Sequence, residues 1–487
     1  MLVSLYTVRV VLNVLGAEDY GIYNVVAGVV TMFSFLSGAM ASASQRYFSF
    51  DLGKGDTEHL KITFSVTLSI YLLLILVVVI LAETVGLWFV NNKLVIPQER
   101  MNAAKWIYQF AVLNFVVTMI TTPYMASIIA HENMDIYAYV SIVEAALKLA
   151  VVFVLKILPY DKLIVYGILL FAVGFINTAI YRSYCKKHYE ECRFRPVWDG
   201  KMFKEITGYV GWNMFGSAVG VVSNQGVNIV LNQFAGAVVN ATRSIALQIN
   251  SAVTSFASNF NNATRPQIIK SYAANKKQEM LSLMNRSSKM CFFLMFVFAL
   301  PLCLEMPFIL KLWLKNPPEQ TTIFAVLALL DAVIASVSYP IIVAVQATGK
   351  IRLYQGVVGG IMLLNLPSSY VVLRLGFPPY SVMLVILFNC ILASIVRFFI
   401  ARKVVVFSLR KFFINVILPL FLVVLISFPV PFLIVRKMES GILRFLLTVF
   451  FSVIISSISM SFIALNKNER SFLMNIIKSK LGRKNGK

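Results

Sequence analysis

The chain has 487 residues, 59% of them hydrophobic and only 13% charged, with 44 Lys and Arg against 21 Asp and Glu. That apolar fraction exceeds what a soluble core uses, so the chain falls among polytopic membrane proteins. The basic excess lies between apolar runs, where membrane topology accounts for it, which excludes a nucleic-acid partner. The five cysteines are scattered with no long extracytoplasmic segment to staple, which excludes a disulfide framework.

Apolar runs of about 20 residues predict about 14 transmembrane helices. In chain order they cover residues 1–15, 20–40, 62–81, 106–129, 136–155 and 163–181, then 206–231, 238–260, 290–310, 323–345, 353–372 and 380–400, and finally 413–435 and 442–465. The first is too short to cross at about 1.5 Å per residue, so the chain is expected to begin inside that helix or to enter the bilayer partway. Basic residues concentrate after even-numbered helices, as at Arg46, Lys54 and Lys61, through the connection from Arg182 to Lys204, and in the tail. By the positive-inside rule that side is cytoplasmic, which puts both termini inside.

An internal repeat organises these helices. The stretch from Val230 to Arg265 lies beside that from Val11 to Arg46 without a gap, so that Val11, Leu12, Asn13, Ala27 and Arg46 fall on Val230, Leu231, Asn232, Ala246 and Arg265. At almost the same offset Pro123, Ala130, Tyr137, Val140 and Leu147 face Pro340, Ala347, Tyr354, Val357 and Leu364. The offset spans an even number of helices, so both copies should run the same way through the bilayer, related by an axis along its normal. The expected fold is therefore an all-α polytopic membrane protein of two six-helix lobes related by a parallel pseudo-twofold, plus two C-terminal helices. Residues 1–183 form the first lobe, 184–204 a charged cytoplasmic linker, 205–401 the second lobe, and 402–487 two extra helices and a basic cytoplasmic tail.

Polar residues inside spans are expensive and mark sites or polar seams. Asn224, Asn228 and Asn232 are spaced by four and share one helix face. On the next helix Arg243, Asn250, Thr254, Asn261 and Arg265 keep within a narrow arc at about 100° per residue. They form a polar wall, fit either to line a cavity or to hydrogen-bond between helices. Arg9 is the corresponding charge of the first lobe, and Arg46 repeats Arg265. The guanidinium fork matches phosphate oxygens bidentately, so Arg9 and Arg243 are expected to floor a cationic cavity with Arg46 and Arg265 at its inner mouth. Glu144 and Lys148, four apart, suit an intrahelical ion pair. Asp331, alone in its helix, is a candidate for a coupling ion, H+ or Na+, as are Glu144 and Lys148; Glu305, just after Pro301, is a further intramembrane acid. No cofactor is expected. Cys185, His188 and Cys192 supply too few ligands for a metal site, and the three histidines build no catalytic triad.

The opening RVVLNVLGAEDYGIYNVVAGVVTMFSFLSGAMASASQRYFSFDLGKGD, with Arg9, Leu15-Gly16 and Glu18-Asp19-Tyr20-Gly21, resembles the start of bacterial polysaccharide-export flippases. These are the O-antigen and capsule branch of the multidrug/oligosaccharidyl-lipid/polysaccharide (MOP) superfamily. The resemblance implies a MATE-like fold, alternating access and no enzymatic activity. It implies translocation of undecaprenyl-pyrophosphate-linked oligosaccharide repeat units across the bacterial inner membrane, with membrane lipids, a polysaccharide polymerase and chain-length machinery as partners. In relatives that flip the peptidoglycan precursor, arginines on the first, second and eighth helices matter; Arg9, Arg46 and Arg243 look similar in helix placement. Family members usually carry a longer basic start than this sequence has.

On this reading Arg9 and Arg243 hold the pyrophosphate, and Asn224, Asn228 and Asn232 hydrogen-bond sugar hydroxyls. A cation-coupled drug exporter of the same superfamily would instead want an acidic, aromatic-lined cavity. A membrane polymerase or ligase would want a large outer loop, and the longest outer connection, near Asn91 to Lys105, is short.

Overall fold

The computed structural model describes residues 2–94, 96–195, 197, 199–466 and 469–470, without the side chains of residues 2–9, 12, 13, 17 and 237. All of its described elements are helices, and contacts divide the chain into two compact units, Met1–Ser217 and Ala218–Lys487. The division falls inside a helix, beyond the charged linker.

The first unit holds α1 (Leu2–Thr31), α2 (Ser34–Lys54), α3 (Thr57–Leu81) and α4 (Leu87–Asn92), then α5 (Met101–Ala130), α6 (Met134–Ile157) and α7 (Lys162–His188). The long α8 (Gly200–Ala273) passes from one unit to the other. The second unit continues with α9 (Lys277–Leu304), α10 (Met306–Leu314), α11 (Thr321–Ser336), α12 (Tyr339–Ala347), α13 (Arg352–Leu363), α14 (Asn365–Arg374) and α15 (Ser381–Val405). The last group is α16 (Leu409–Phe412), α17 (Leu418–Ser427), α18 (Pro429–Lys437) and α19 (Ile442–Ser459).

Each expected apolar run falls on a helix. Among the described residues ten helices are long and apolar enough to cross a membrane, or eleven when Glu18–Thr31 and Ser34–Lys54, bent by 47°, count as one span. The expected spans missing from that set are the ones carrying Arg9, the Glu144–Lys148 pair, and the stretch from Arg243 to Arg265.

Backbone geometry repeats along the chain as the sequence does. α1 breaks at Gly16 (φ 84°) and α8 at Gly236 (φ 79°), one residue off the offset that pairs Val11 with Val230. Left-handed residues then end α2 at Gly55 and α8 at Asn275, and follow α5 at Glu132 and α12 at Gly349. Glu132 and Gly349 keep the register of Pro123 on Pro340. A side chain at φ near +80° pushes Cβ against the backbone, so both helix breaks fall on glycine.

Charged groups tie the loops down. Asp161 caps α7 by accepting from the amides of Leu163 and Ile164, and Arg100 reaches it at 2.7 Å. The same guanidinium donates to Asp19 through Nε at 2.8 Å; this is the acid of the Glu18-Asp19-Tyr20-Gly21 string, directly after the Gly16 break. In the linker, Glu191 is buried against His131 Nε2 (2.7 Å) and accepts from Ser127 (3.1 Å), while the Arg195 amide donates to Ser65. The linker thus packs as part of the first unit. In the second unit Arg444 grips the fully buried Glu305 through two nitrogens at 2.9 and 2.8 Å, with Thr448 donating at 3.2 Å. Lys289, 2% exposed, meets Glu469 at 2.6 Å and the Ala464 carbonyl at 2.9 Å. Glu305, a lone acid in the sequence, is therefore the anchor that seats α19 on α9 and α10.

Arg444→Met leaves a buried carboxylate unpaired and is expected to lower stability by about 3–5 kcal/mol, read as a lower thermal midpoint of the detergent-solubilised protein; adding Glu305→Gln should recover part of the loss. Burial alone raises the Glu191 carboxyl, but the His131 ring and the Ser127 hydroxyl outweigh it and hold it below its ordinary value. The linker's docking is therefore complete above the free glutamate value of about 4.3 and is lost as pH falls through the lower folded value. Hydrogen exchange over residues 190–195 should rise only below about pH 4, and Glu191→Gln should abolish that acid dependence.

Candidate functional site

The Gly236 break lets the second half of α8 lie against the first. Asn224 and Asn228, one turn apart on the first half, face Arg243 on the second. Arg243 is 1% exposed; its Nη2 donates to Asn224 Oδ1 at 3.1 Å, and its Nη1 to the Asn224 carbonyl at 3.4 Å and to Asn228 Oδ1. Its Nε has no partner among the described residues. A guanidinium carries five N–H donors and no acceptor, and a charge in an apolar medium is costly unless those donors are met. The asparagines meet most of them, and among the described residues no carboxylate pairs with the positive charge.

That charge borders a cavity of about 260 Å³ lined by residues of α8, α11, α13, α14 and α15. Asp331 of α11 lines it, its Oδ1 without a partner among the described residues, while its backbone carbonyl accepts from the Cys390 thiol at 3.8 Å. Arg397 of α15 lines it too, 4% exposed, with the Tyr354 ring 5.8 Å from its guanidinium carbon and its Nε unpaired among the described residues. Asn389 donates to Asn365 (2.8 Å), Asn365 to Ser223 (3.2 Å), and Ser223 to the Met362 carbonyl. Among the described residues Asp331 is within ion-pair distance of neither arginine. Two guanidinium groups against one carboxylate leave the cavity net positive, a setting for an anion with several acceptor oxygens.

The structure brings Arg243, Asn224, Asn228 and Asp331 to this one place. The remaining candidates lie elsewhere. Asn232 is exposed, and Asn250 accepts from Thr254 at 3.0 Å. Arg265 donates to Gln346 at 2.7 Å. Arg46, 5% exposed, sits 3.8 Å from Glu205 with its guanidinium 4.2 Å from the Tyr47 ring and 5.6 Å from that of Tyr209. Glu144 and Lys148 form the expected intrahelical pair at 2.6 Å. Arg9 lies outside the residues whose side chains are described. Sequence reasoning missed Arg397, Asn365 and Asn389. Each is a polar residue inside an apolar run, the same signal that exposed Arg243, but Arg397 lies close to Arg402 and Lys403 at the end of its helix, where basic residues serve as membrane anchors.

In sequence, the family described as polysaccharide biosynthesis protein matches residues 1–272. No curated protein matches the chain. In structure it is similar to a MATE mutant solved by crystallography (TM-score 0.73, 11% identity, covering 83% of this chain and 93% of that one). It is also similar to a multidrug resistance MATE family transporter of the MOP superfamily in an outward-facing conformation (TM-score 0.71, 13% identity, 83% and 91%). A third match is a MOP superfamily transporter from Pyrococcus furiosus whose reversed binding-pocket polarity suggests a different function for it (TM-score 0.65, 12% identity, 83% and 92%). The chain therefore has the MATE-like fold of the MOP superfamily and is a multi-pass membrane protein.

Asn228→Leu removes a main acceptor of the Arg243 charge and is expected to cost about 1–3 kcal/mol, measured as a lower thermal midpoint; an unchanged midpoint would mean that Arg243 finds its acceptor elsewhere.

Proposed function

The chain belongs to the polysaccharide biosynthesis protein family, and from that premise we propose that it is a flippase for lipid-linked oligosaccharides. It carries undecaprenyl-pyrophosphate-linked repeat units across the bacterial inner membrane for O-antigen, capsule or exopolysaccharide synthesis. Both termini face the cytoplasm, and product passes to the polymerase and chain-length machinery. The observation that carries the reading is the cavity lined by Arg243, Arg397 and one Asp331. A pyrophosphate diester is anionic and offers many acceptor oxygens to the fork-shaped guanidinium donors. Taking such a headgroup into hydrocarbon unaided is prohibitive, and a fixed cationic hollow replaces the water it loses. The lipid tail stays in the bilayer throughout.

The charge balance also sorts this reading from its rival. A carrier of organic cations needs a surplus of carboxylates in the substrate cavity, and here arginines outnumber the acid. Asp331, the carboxylate among them, is the position at which H+ or Na+ coupling acts in this scheme. Protonation of Asp331 would strengthen the cavity's hold on an anion, and deprotonation would weaken it.

Arg243→Ala is expected to lower polymer assembly at least about tenfold, the loss of a charge-assisted bidentate contact, while the protein stays in the membrane and lipid-linked repeat units accumulate on the cytoplasmic face. Normal polymer in that variant, with normal protein levels, removes Arg243 from the mechanism.

A further inference from the structure

The first unit holds a larger cavity, about 800 Å³, walled by α5, α6 and α7 with Tyr23 of α1 at one side. It is within the range of about 300–1,000 Å³ typical of small-molecule sites. Its chemistry is unlike that of the arginine cavity. On α5, Thr118 and Thr122 donate their hydroxyl protons to the backbone carbonyls of Asn114 and Thr118, both at 2.8 Å, and on α6 Ser141 donates to Tyr137 at 2.8 Å. A hydroxyl has one proton and two lone pairs, so these oxygens present acceptors to the cavity. Asn177 of α7, 8% exposed, adds a side-chain amide with both an acceptor and N–H donors, its buried Oδ1 without a partner among the described residues. The two charges in the wall, Glu144 and Lys148, are paired with each other at 2.6 Å, and 39% and 48% of their side chains remain accessible.

Two further features shape the wall. Gly174 of α7 has room for no side chain, because a Cβ there would lie 2.3 Å from Asn114 Oδ1; its absence keeps that amide seated in the lining. The Tyr23 and Tyr166 rings meet edge to face at 5.0 Å and 71°, and both border the cavity, offering flat apolar surface beside the acceptors.

A ligand suited to this cavity brings hydroxyl donors, one face of C–H groups and no net charge. The two charges in the wall cancel each other, so it offers no net charge to hold an anion or a cation. We infer that this cavity is a saccharide subsite that takes an uncharged, hydroxyl-rich sugar unit. The inference rests on the lipid-linked oligosaccharide reading and names the part of the substrate this unit reads. Sites built to hydrogen-bond hydroxyls reject analogues that lack them, because their buried acceptors would otherwise stay unmet.

The test uses the full-length protein in lipid nanodiscs. A panel of neutral hexoses, N-acetylhexosamines and their disaccharides is titrated to about 100 mM, a range that captures even weak millimolar binding, with thermal midpoint and saturation-transfer NMR as readouts. Inorganic pyrophosphate and tetraphenylphosphonium are titrated separately. At least one sugar should saturate the wild type, and Asn177→Leu should weaken it at least tenfold while leaving the pyrophosphate response intact. Arg243→Ala should do the reverse. Ser141→Leu, on an exposed position that fills the cavity, should reproduce the Asn177→Leu result and serves if that variant does not fold. The inference is overturned if no sugar in the panel binds, if both cavity variants bind sugar as the wild type does, or if tetraphenylphosphonium saturates in place of sugar. If pyrophosphate still binds and lipid-linked units still accumulate in the deletion strain, the flippase reading survives that failure; loss of both sinks the reading itself.

Discussion

A guanidinium buried in an apolar bundle with no counter-ion must have its donors met by neutral oxygens, and that requirement shapes the second unit. Arg243 is satisfied by Asn224 and Asn228, which neutralise nothing. Asparagine amides stabilise the fork of N–H groups by hydrogen bonding, so the charge persists and remains available to the cavity. A carboxylate partner would have been a cheaper arrangement for stability alone. Elsewhere the chain uses that cheaper arrangement: Arg444 with Glu305, Lys289 with Glu469, Arg100 with Asp19 and Asp161. Those pairs sit where helices begin, end or turn, and they hold elements together. Arg243 and Arg397, which have no carboxylate partner among the described residues, instead line a cavity.

The two units follow one backbone plan and differ in what they present. Each has a helix broken at glycine, a left-handed residue closing the helix that follows, and another after the helix that carries the conserved-register proline pair Pro123 and Pro340. Duplicate geometry with unlike chemistry follows naturally when backbone conformation depends on a few special positions and the lining depends on side chains that can vary around them. The first unit lines its cavity with hydroxyls, amides and a self-neutralised ion pair. The second lines its own with two arginines and an aspartate. A glycolipid headgroup has the same division, a hydroxyl-rich neutral part and an anionic part.

Helical hydrogen bonding explains how such polar interiors are tolerated. Backbone groups at membrane depth must be satisfied within the segment, which the helices do by themselves. Threonine and serine then meet their own protons on carbonyls one turn back, as at Thr118, Thr122 and Ser141. At these three hydroxyls the lone pairs are left for the hollow.

How much of this was legible beforehand depends on the range of the interaction involved. Membrane class, helix positions, the internal repeat, the Glu144–Lys148 pair and the Asn224–Asn228 face all follow from periodicity and hydropathy, which act between residues close in sequence. The polysaccharide biosynthesis family was legible too, from the string around Gly16 and Asp19. That Asp331 and Arg397 share a cavity with Arg243, that Glu305 belongs to Arg444, and that Arg265 turns to Gln346 depends on helices far apart in sequence coming together. A lone polar residue in an apolar run announces only that it needs a partner. Which partner it finds is decided by packing, because the free energy of burying a charge depends on every group within a few ångströms and on none that is merely nearby in the chain.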